Sequence, residues 1–253
     1  MYKRMMAILI VLGLSTLACS VFNIQISLQQ PVQGSGKVAS ERRDVAGFTS
    51  VGLYGSADVD VTFGDSETVV VEADDNILPL IDTKVQRGQL IINNKPNPSY
   101  RTSNPVLVHI TMKSLDRVGL PGSGSFTVTG LSADSVKIDL PGSGSIHVTG
   151  EANQVNVSLN GSGIVSCKEL KAQNATVRLN GSGNISVYAS SSLDATIGGS
   201  GNILYSGSPA KLNKKVFGSG TIAADPSGAE PPQGQVYPDP SFELTMKEAS
   251  TRC

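Results

Sequence analysis

The sequence predicts an all-β protein whose strands wind into a parallel β-solenoid, or β-helix. Three observations carry that prediction. The tripeptide Gly-Ser-Gly recurs six times at near-constant spacing, apolar residues alternate with polar ones on both sides of each copy, and large side chains are scarce. Among 253 residues there are 27 glycines, no tryptophan and only 5% aromatics. Such a chain cannot fill a deep, round core, whereas Val, Ile, Ser and Gly suit thin, strand-rich layers.

The N-terminus carries an export address. Lys3 and Arg4 precede an apolar run from Met5 to Leu14, followed by Ser15-Thr16-Leu17-Ala18-Cys19. A basic start, a short apolar stretch and a small residue before the cleavage point make a secretory signal. The run is shorter than the roughly 20 apolar residues a spanning helix needs. Cys19 after Ala18 resembles a bacterial lipobox, in which the cysteine is lipidated and begins the mature chain; Thr16 stands where Leu is usual. The alternatives are a plain cleaved signal and an uncleaved anchor. Residues 1–19 are therefore read as signal, 20–43 as a polar tether, 44–225 as the solenoid and 226–253 as a disordered Pro/Gly-rich tail.

At the start of the solenoid, residues 48–61 read as a looser version of the repeat, containing Gly55-Ser56-Ala57. Strand-like Val69 to Val71 follows, then a helical turn within 75–81, then strand-like 84–92 and 106–112. The regular part begins with Gly122-Ser123-Gly124. It continues through Gly142-Ser143-Gly144, Gly161-Ser162-Gly163, Gly181-Ser182-Gly183, Gly199-Ser200-Gly201 and Gly218-Ser219-Gly220, at steps of 20, 19, 20, 18 and 19 residues. Before each tripeptide comes an apolar triplet such as Val136, Ile138, Leu140 or Val155, Val157, Leu159. After it comes a pair such as Ile146, Val148 or Ile185, Val187. Period-two alternation of β-branched residues marks strands with one buried face. Cys167 falls in the slot of Val128, Val148 and Val187, so it points inward.

The near-constant period favours coils over hairpins, because a coil returning to the same place must keep its perimeter. About 19 residues suits three sides, with Gly-Ser-Gly at one corner and coils stacked ~4.8 Å apart. Glycine at a corner answers either a positive φ or a very close approach of backbones. The intervening serines are expected to form a column whose hydroxyls bond from rung to rung. One rung cannot fold alone, since stacking must supply what a single unit lacks. Lys214 interrupts the alternation between Leu212 and Val216, as befits a terminal rung.

The run Arg43-Asp44-Val45-Ala46-Gly47-Phe48-Thr49-Ser50-Val51, the Gly-Ser-Ala-Asp-Val-Asp-Val at 55–61 and the serial Gly-Ser-Gly rungs resemble the auto-transporter adhesin head, or GIN-domain, family. The resemblance covers about residues 42–224. It implies a right-handed parallel β-helix on an exported bacterial protein, and it transfers no catalytic residue.

Little points to chemistry. The net charge of −1 lacks the clustered basic excess of a nucleic-acid binder. Gly34-Ser35-Gly36-Lys37 has Val38 where a phosphate loop needs Ser or Thr. No corner completes the G-x-S-x-G elbow of hydrolases. His109 and His147, the two histidines, read as outward strand residues. A polysaccharide lyase or hydrolase would need carboxylates grouped on an outer face. The outward columns Lys137, Asn156, Thr176, Asp194, Asn213 and Asp139, Ser158, Arg178, Thr196, Lys215 instead mix signs with small polar residues. Asp58, Asp60, Asp65, Glu67, Glu72, Asp74 and Asp75 form the one acidic concentration, where calcium would be conceivable; however, there is no nonapeptide calcium repeat, and a soluble capping face needs charges in any case.

The resulting expectation is an adhesin-like structural or binding module of the cell envelope, not an enzyme and without a cofactor or metal. It would be held to the membrane by lipid on Cys19 and would engage a glycan or an envelope or surface protein. The alternatives are a carbohydrate-active enzyme on a β-helix and an envelope-stress accessory protein.

Overall fold

A computed structural model describes residues 30–95 and 99–226. The expected signal segment with Cys19 and the tail from residue 227 lie outside the described residues. In chain order the first strands are β1 (Val32–Gln33), β2 (Val38–Arg43), β3 (Ser50–Leu53), β4 (Asp58–Phe63) and β5 (Thr68–Asp74). A single 3-10 turn, Leu78–Leu80, precedes β6 (Ile81–Gln86), β7 (Gln89–Asn94), β8 (Tyr100–Arg101), β9 (Leu107–Met112) and β10 (Arg117–Gly119). The repeats supply β11 (Ser125–Leu140), β12 (Ser145–Leu159), β13 (Ile164–Cys167), β14 (Leu170–Leu179), β15 (Asn184–Tyr188), β16 (Ser192–Ile197), β17 (Asn202–Ser206), β18 (Lys211–Val216) and β19 (Thr221–Ala224).

The chain is an all-β solenoid of about five turns with parallel coils. Each apolar slot stacks on its counterpart in the next rung. Before the corner, Val51 pairs with Val118, Val118 with Ile138, and then Val157, Val177 and Ala195 follow in line. After the corner the column runs Val59, Phe126, Ile146, Val165, Ile185, Ile203, Ile222. All but the last of these are buried, and the two columns form one continuous core. Cys167 lies in register with Val187 and is fully buried, as its slot predicts. Burial pushes its thiol up from 9.0 to about 12, because a thiolate there would have no water around it. The third side is thinner: Ala133, Ala152 and Ala172 align, and Ser190 and Ser191 donate backbone N–H groups to Ala172 and Gln173. Gly130, Gly150 and Gly207, all at positive φ, turn the chain onto it.

The corner glycines have negative or extended φ, so left-handed geometry is not what selects them. Contact is. A Cβ built on Gly142 would fall onto the carbonyl oxygen of Gly122, and one on Gly161 onto that of Gly142. The same holds for Gly181 against Gly161, Gly199 against Gly181 and Gly218 against Gly199. The second glycines behave alike: Gly144 meets Gly124, Gly163 meets Gly144, and Gly183, Gly201 and Gly220 follow. Ala57 occupies this position in the first corner, with Gly124 packed against its carbonyl.

The serine column is arranged differently from the expectation. Ser123, Ser143, Ser162, Ser182, Ser200 and Ser219 are all exposed, and among the described residues no hydrogen bond joins one hydroxyl to the next. Each side chain points outward from a corner whose backbone already makes the inter-rung bonds, as where the Ser182 N–H donates to Gly161. Asparagines provide the side-chain ladder instead, with Asn180 donating to Asn160 at 2.8 Å and Asn202 to Asn184 at 3.2 Å.

The N-terminal end departs from the repeat. The β3–β4 rung is the first of the regular stack in register, but β7 and β9 cover its other side, Val51 meeting Leu90 and Val59 meeting Val108. The chain leaves β4, builds the end through β5 to β9, and crosses back to β10 on the opposite face. Here pairing turns antiparallel, β5 with β9 and β6 with β7. The stretch 84–92, read as one strand-like segment, contains a hairpin turn at Arg87 and Gly88, both at positive φ. The boundary of the fold also moves. Part of the expected tether is structured, since β2 pairs antiparallel with β5 from Val38–Asp74 to Arg43–Val69, and β1 pairs with β8. Glu41, Arg42 and Arg43 make β2 a charged edge, a pattern that discourages pairing with another chain and that hides a strand from a hydrophobic-periodicity reading.

Candidate functional site

The outer wall before the corner presents two outward columns, whose register follows from the buried ones. Gln89, Ser50, Arg117 and Lys137 stand side by side, and so do Ile91, Gly52, Gly119 and Asp139. Gly52 and Gly119 are neighbours across the rungs, so two successive outward side chains are missing. A hollow of about 290 Å³ results, lined by Tyr54, Gln89, Arg117, Gly119, Pro121, Asp139 and Pro141. Tyr54 is the pre-corner residue of the first rung, in the place taken later by Pro121 and Pro141. Its ring reaches back over Gly52, where a built Cβ would lie 3.3 Å from Cε2 and 2.6 Å from Gln89 Nε2. Above Gly119 the space is open.

The polar groups around this floor hold one another in place. Arg117 Nη2 lies 2.7 Å from Asp139 Oδ2, and Lys137 Nζ lies 3.6 Å from the same oxygen. Asp139 is the least exposed of the three. The hollow holds one carboxylate, already paired with two cations. It is therefore built to offer fixed hydrogen-bonding groups and not a free base beside a second acid. Tyr54, half exposed at 49%, adds an apolar ring face. A ring beside planar guanidinium, carboxylate and amide groups matches the mixed surface of a sugar, with C–H bonds on one face and hydroxyls around its edge.

A second hollow, about 390 Å³, lies on the third side between Asp134, Glu151, Asn153, Lys171 and Gln173. It is larger and lined mostly by polar side chains together with Ala133 and Ala152, with no aromatic in its lining. The corner residues from Gly122 to Gly220 gather along one edge and bear no cluster of reactive groups.

The acidic concentration is dispersed among separate partners. Asp58 accepts from Ser125 at 2.6 Å, Asp60 faces His109 at 3.5 Å, and Glu67 accepts from the Gly47 N–H at 2.6 Å. Asp75 accepts from Ser35 at 2.6 Å. Asp74, 1% exposed, accepts from Thr102 at 2.7 Å and Asn104 at 2.6 Å. These bonds to its charged form, from Asn104 above all and then Thr102, hold its carboxyl below the ordinary 3.8. Among the described residues, no three His, Cys, Asp or Glu side chains converge as metal ligands would. Sequence reasoning missed the Tyr54 hollow. Its floor is two glycines 67 residues apart, brought together by the chain's return to β10, and only the spacing of Gly52 and Gly119 from their rung's valines hints at it.

Residues 47–209 match the family described as "Putative auto-transporter adhesin, head GIN domain". Among solved structures, an adhesin of Bacteroides fragilis, titled a putative one, is 23% identical with a TM-score of 0.65, covering 77% of this chain and 100% of its own. A protein of Parabacteroides distasonis, titled a putative lipid binding protein, is 25% identical with a TM-score of 0.53, covering 78% and 100%. No curated protein matches the chain.

Proposed function

Because this chain belongs to the auto-transporter adhesin head GIN domain family, we propose that it is an adhesin-like binding module of the cell envelope. In this reading lipid on Cys19 holds it to a membrane, and the Tyr54 hollow takes a glycan. The carrying observation is the Tyr54 ring standing over Gly52 beside the open floor at Gly119, flanked by Gln89 and the Arg117–Asp139 pair. Ring stacking would orient a sugar, and the fixed ion pair would distinguish its hydroxyls. Lys137 and Arg117 leave a small positive excess around the hollow, which favours an acidic sugar. With its single carboxylate already engaged, the site supports binding over turnover.

A glycan array probed with the purified chain tests this. At least one class of glycan should bind, and binding should fall about tenfold or more in Tyr54→Ala, roughly the loss expected when an aromatic contact is removed. Gly119→Gln, which fills the open floor without meeting backbone, should have the same effect. Equal binding by all three proteins would place the ligand elsewhere, and polysaccharide cleavage would replace the reading with an enzymatic one. For the anchor, Cys19→Ala should release the protein from membranes, and unchanged fractionation would refute lipidation.

A further inference from the structure

The two outer walls that meet at the Gly-Ser-Gly corner differ in charge. After the corner, strands β4, β9, β13, β15, β17 and β19, with residues 125–128 of β11 and 145–148 of β12, hold no lysine or arginine. Asp58 and Asp60 stand exposed among them. Before the corner, the outward positions from β10 to β18 hold Arg117, Lys137, Arg178, Lys211 and Lys215 against only Asp139 and Asp194. Both carboxylates are engaged, Asp139 by Arg117 and Lys137, and Asp194 by Asn213, whose Nδ2 donates to it at 3.2 Å. Arg178, Lys211 and Lys215 are exposed, and among the described residues none of them has a carboxylate at ion-pair distance.

These cations are also spaced. Lys137 stands on Asn156, and Asn156 on Thr176, which shares β14 with Arg178. Arg178 stands on Thr196, and Thr196 on Lys215. A cation thus recurs on every second rung, ~9.6 Å apart along the stack at the inter-strand spacing. Between the cations lie Asn156, Ser158, Thr176 and Thr196, small neutral side chains that donate and accept hydrogen bonds.

We propose that this wall is a track for a linear acidic polysaccharide, laid along the stack axis with a carboxylate on every second sugar. The proposal rests on the glycan-binding reading above and places the Tyr54 hollow at one end of the track. A sugar unit in an extended chain advances about as far as one rung. Carboxylates on alternate sugars therefore meet cations on alternate rungs, and the sugars between them meet hydroxyl and amide side chains. Nucleic acid is a poorer match, since a strand with a charge every ~3.4 Å would leave most of its phosphates unpaired. An anionic bilayer is poorer too, because the outward positions from β10 to β18 carry no large apolar side chain to insert.

Hyaluronan oligosaccharides, which carry a carboxylate on alternate sugars, test this on the full chain. From β3 to β18 the wall spans six rung steps, ~29 Å. Affinity, read by titration calorimetry, should rise from the disaccharide to the hexasaccharide or octasaccharide and then level off. The Arg178→Ser, Lys215→Ser double variant should bind the octasaccharide about fivefold or more weakly, with a smaller loss in high salt, and the disaccharide unchanged. Tyr54→Ala should weaken every length. Length-independent binding, an octasaccharide indifferent to the double variant, or no binding at all would overturn the track. In the first two cases a disaccharide that still needs Tyr54 would leave the hollow standing. Dependence on Arg178 and Lys215 without dependence on Tyr54 would keep the track and overturn only the hollow. Equal binding of a neutral chitin octasaccharide, or of a single-stranded oligonucleotide, would also overturn the proposal, since the spacing of charge would then decide nothing.

Discussion

At each corner one absent methyl decides whether rungs can touch. A Cβ on Gly161 would strike the carbonyl of Gly142 and lie 2.9 Å from that of Pro141. Gly161→Ala should therefore cost about 1–3 kcal/mol as overpacking, with backbone that cannot move aside. Ser162→Ala, one residue on, removes an exposed hydroxyl that has no partner among the described residues and should change stability by no more than about 0.5 kcal/mol. Urea unfolding of the two variants would separate them. The sequence made the demand for glycine plain by repeating it, but a one-dimensional pattern cannot distinguish a φ requirement from a contact between residues a full turn apart. For the same reason the outward serines looked like a bonded ladder. Cys167, whose place follows from local alternation alone, was legible.

At the level of strands, the N-terminal end hangs on a buried carboxylate. Asp74, the last residue of β5, ties down Thr102 and Asn104. Its folded-state carboxyl is held low, so the fold favours the ionised form. This contribution is present above the unfolded value near 3.8 and is lost as pH falls through the lower folded value. Asp74→Asn should therefore be less stable than the parent at neutral pH, with the gap narrowing on acidification below 3.8. Urea midpoints across that range would show it, and a pH-independent gap would disprove it. None of this was readable beforehand. The partners of Asp74 lie 28 and 30 residues away in a segment without periodicity, and β2 alternates too weakly to register as a strand.

Across the whole molecule, the repeats behave as interchangeable layers. Deleting residues 161–180 joins Asn160 to Gly181 and brings the β16 column directly onto that of β12, Val157 then meeting Ala195. The shortened chain should keep its β-sheet circular dichroism and a single unfolding transition, with the urea m-value lower by about a tenth, in line with the surface removed. Loss of the cooperative transition would show that the layers are not equivalent. Order along the chain and order in the stack part company at the β3–β4 rung, whose two neighbours are residues 89–112 and 117–128. Synthesis delivers this rung well before either flank. Its first flank arrives with β7 and β9, whose partners lie 39 and 49 residues on, and its second with β10 and β11, 67 residues on, so long loops close before these contacts form. From β11 onward no such wait recurs, and each newly delivered turn finds its template already in place. The first half should thus be the slower part to fold, with the second half adding turn by turn to a finished template.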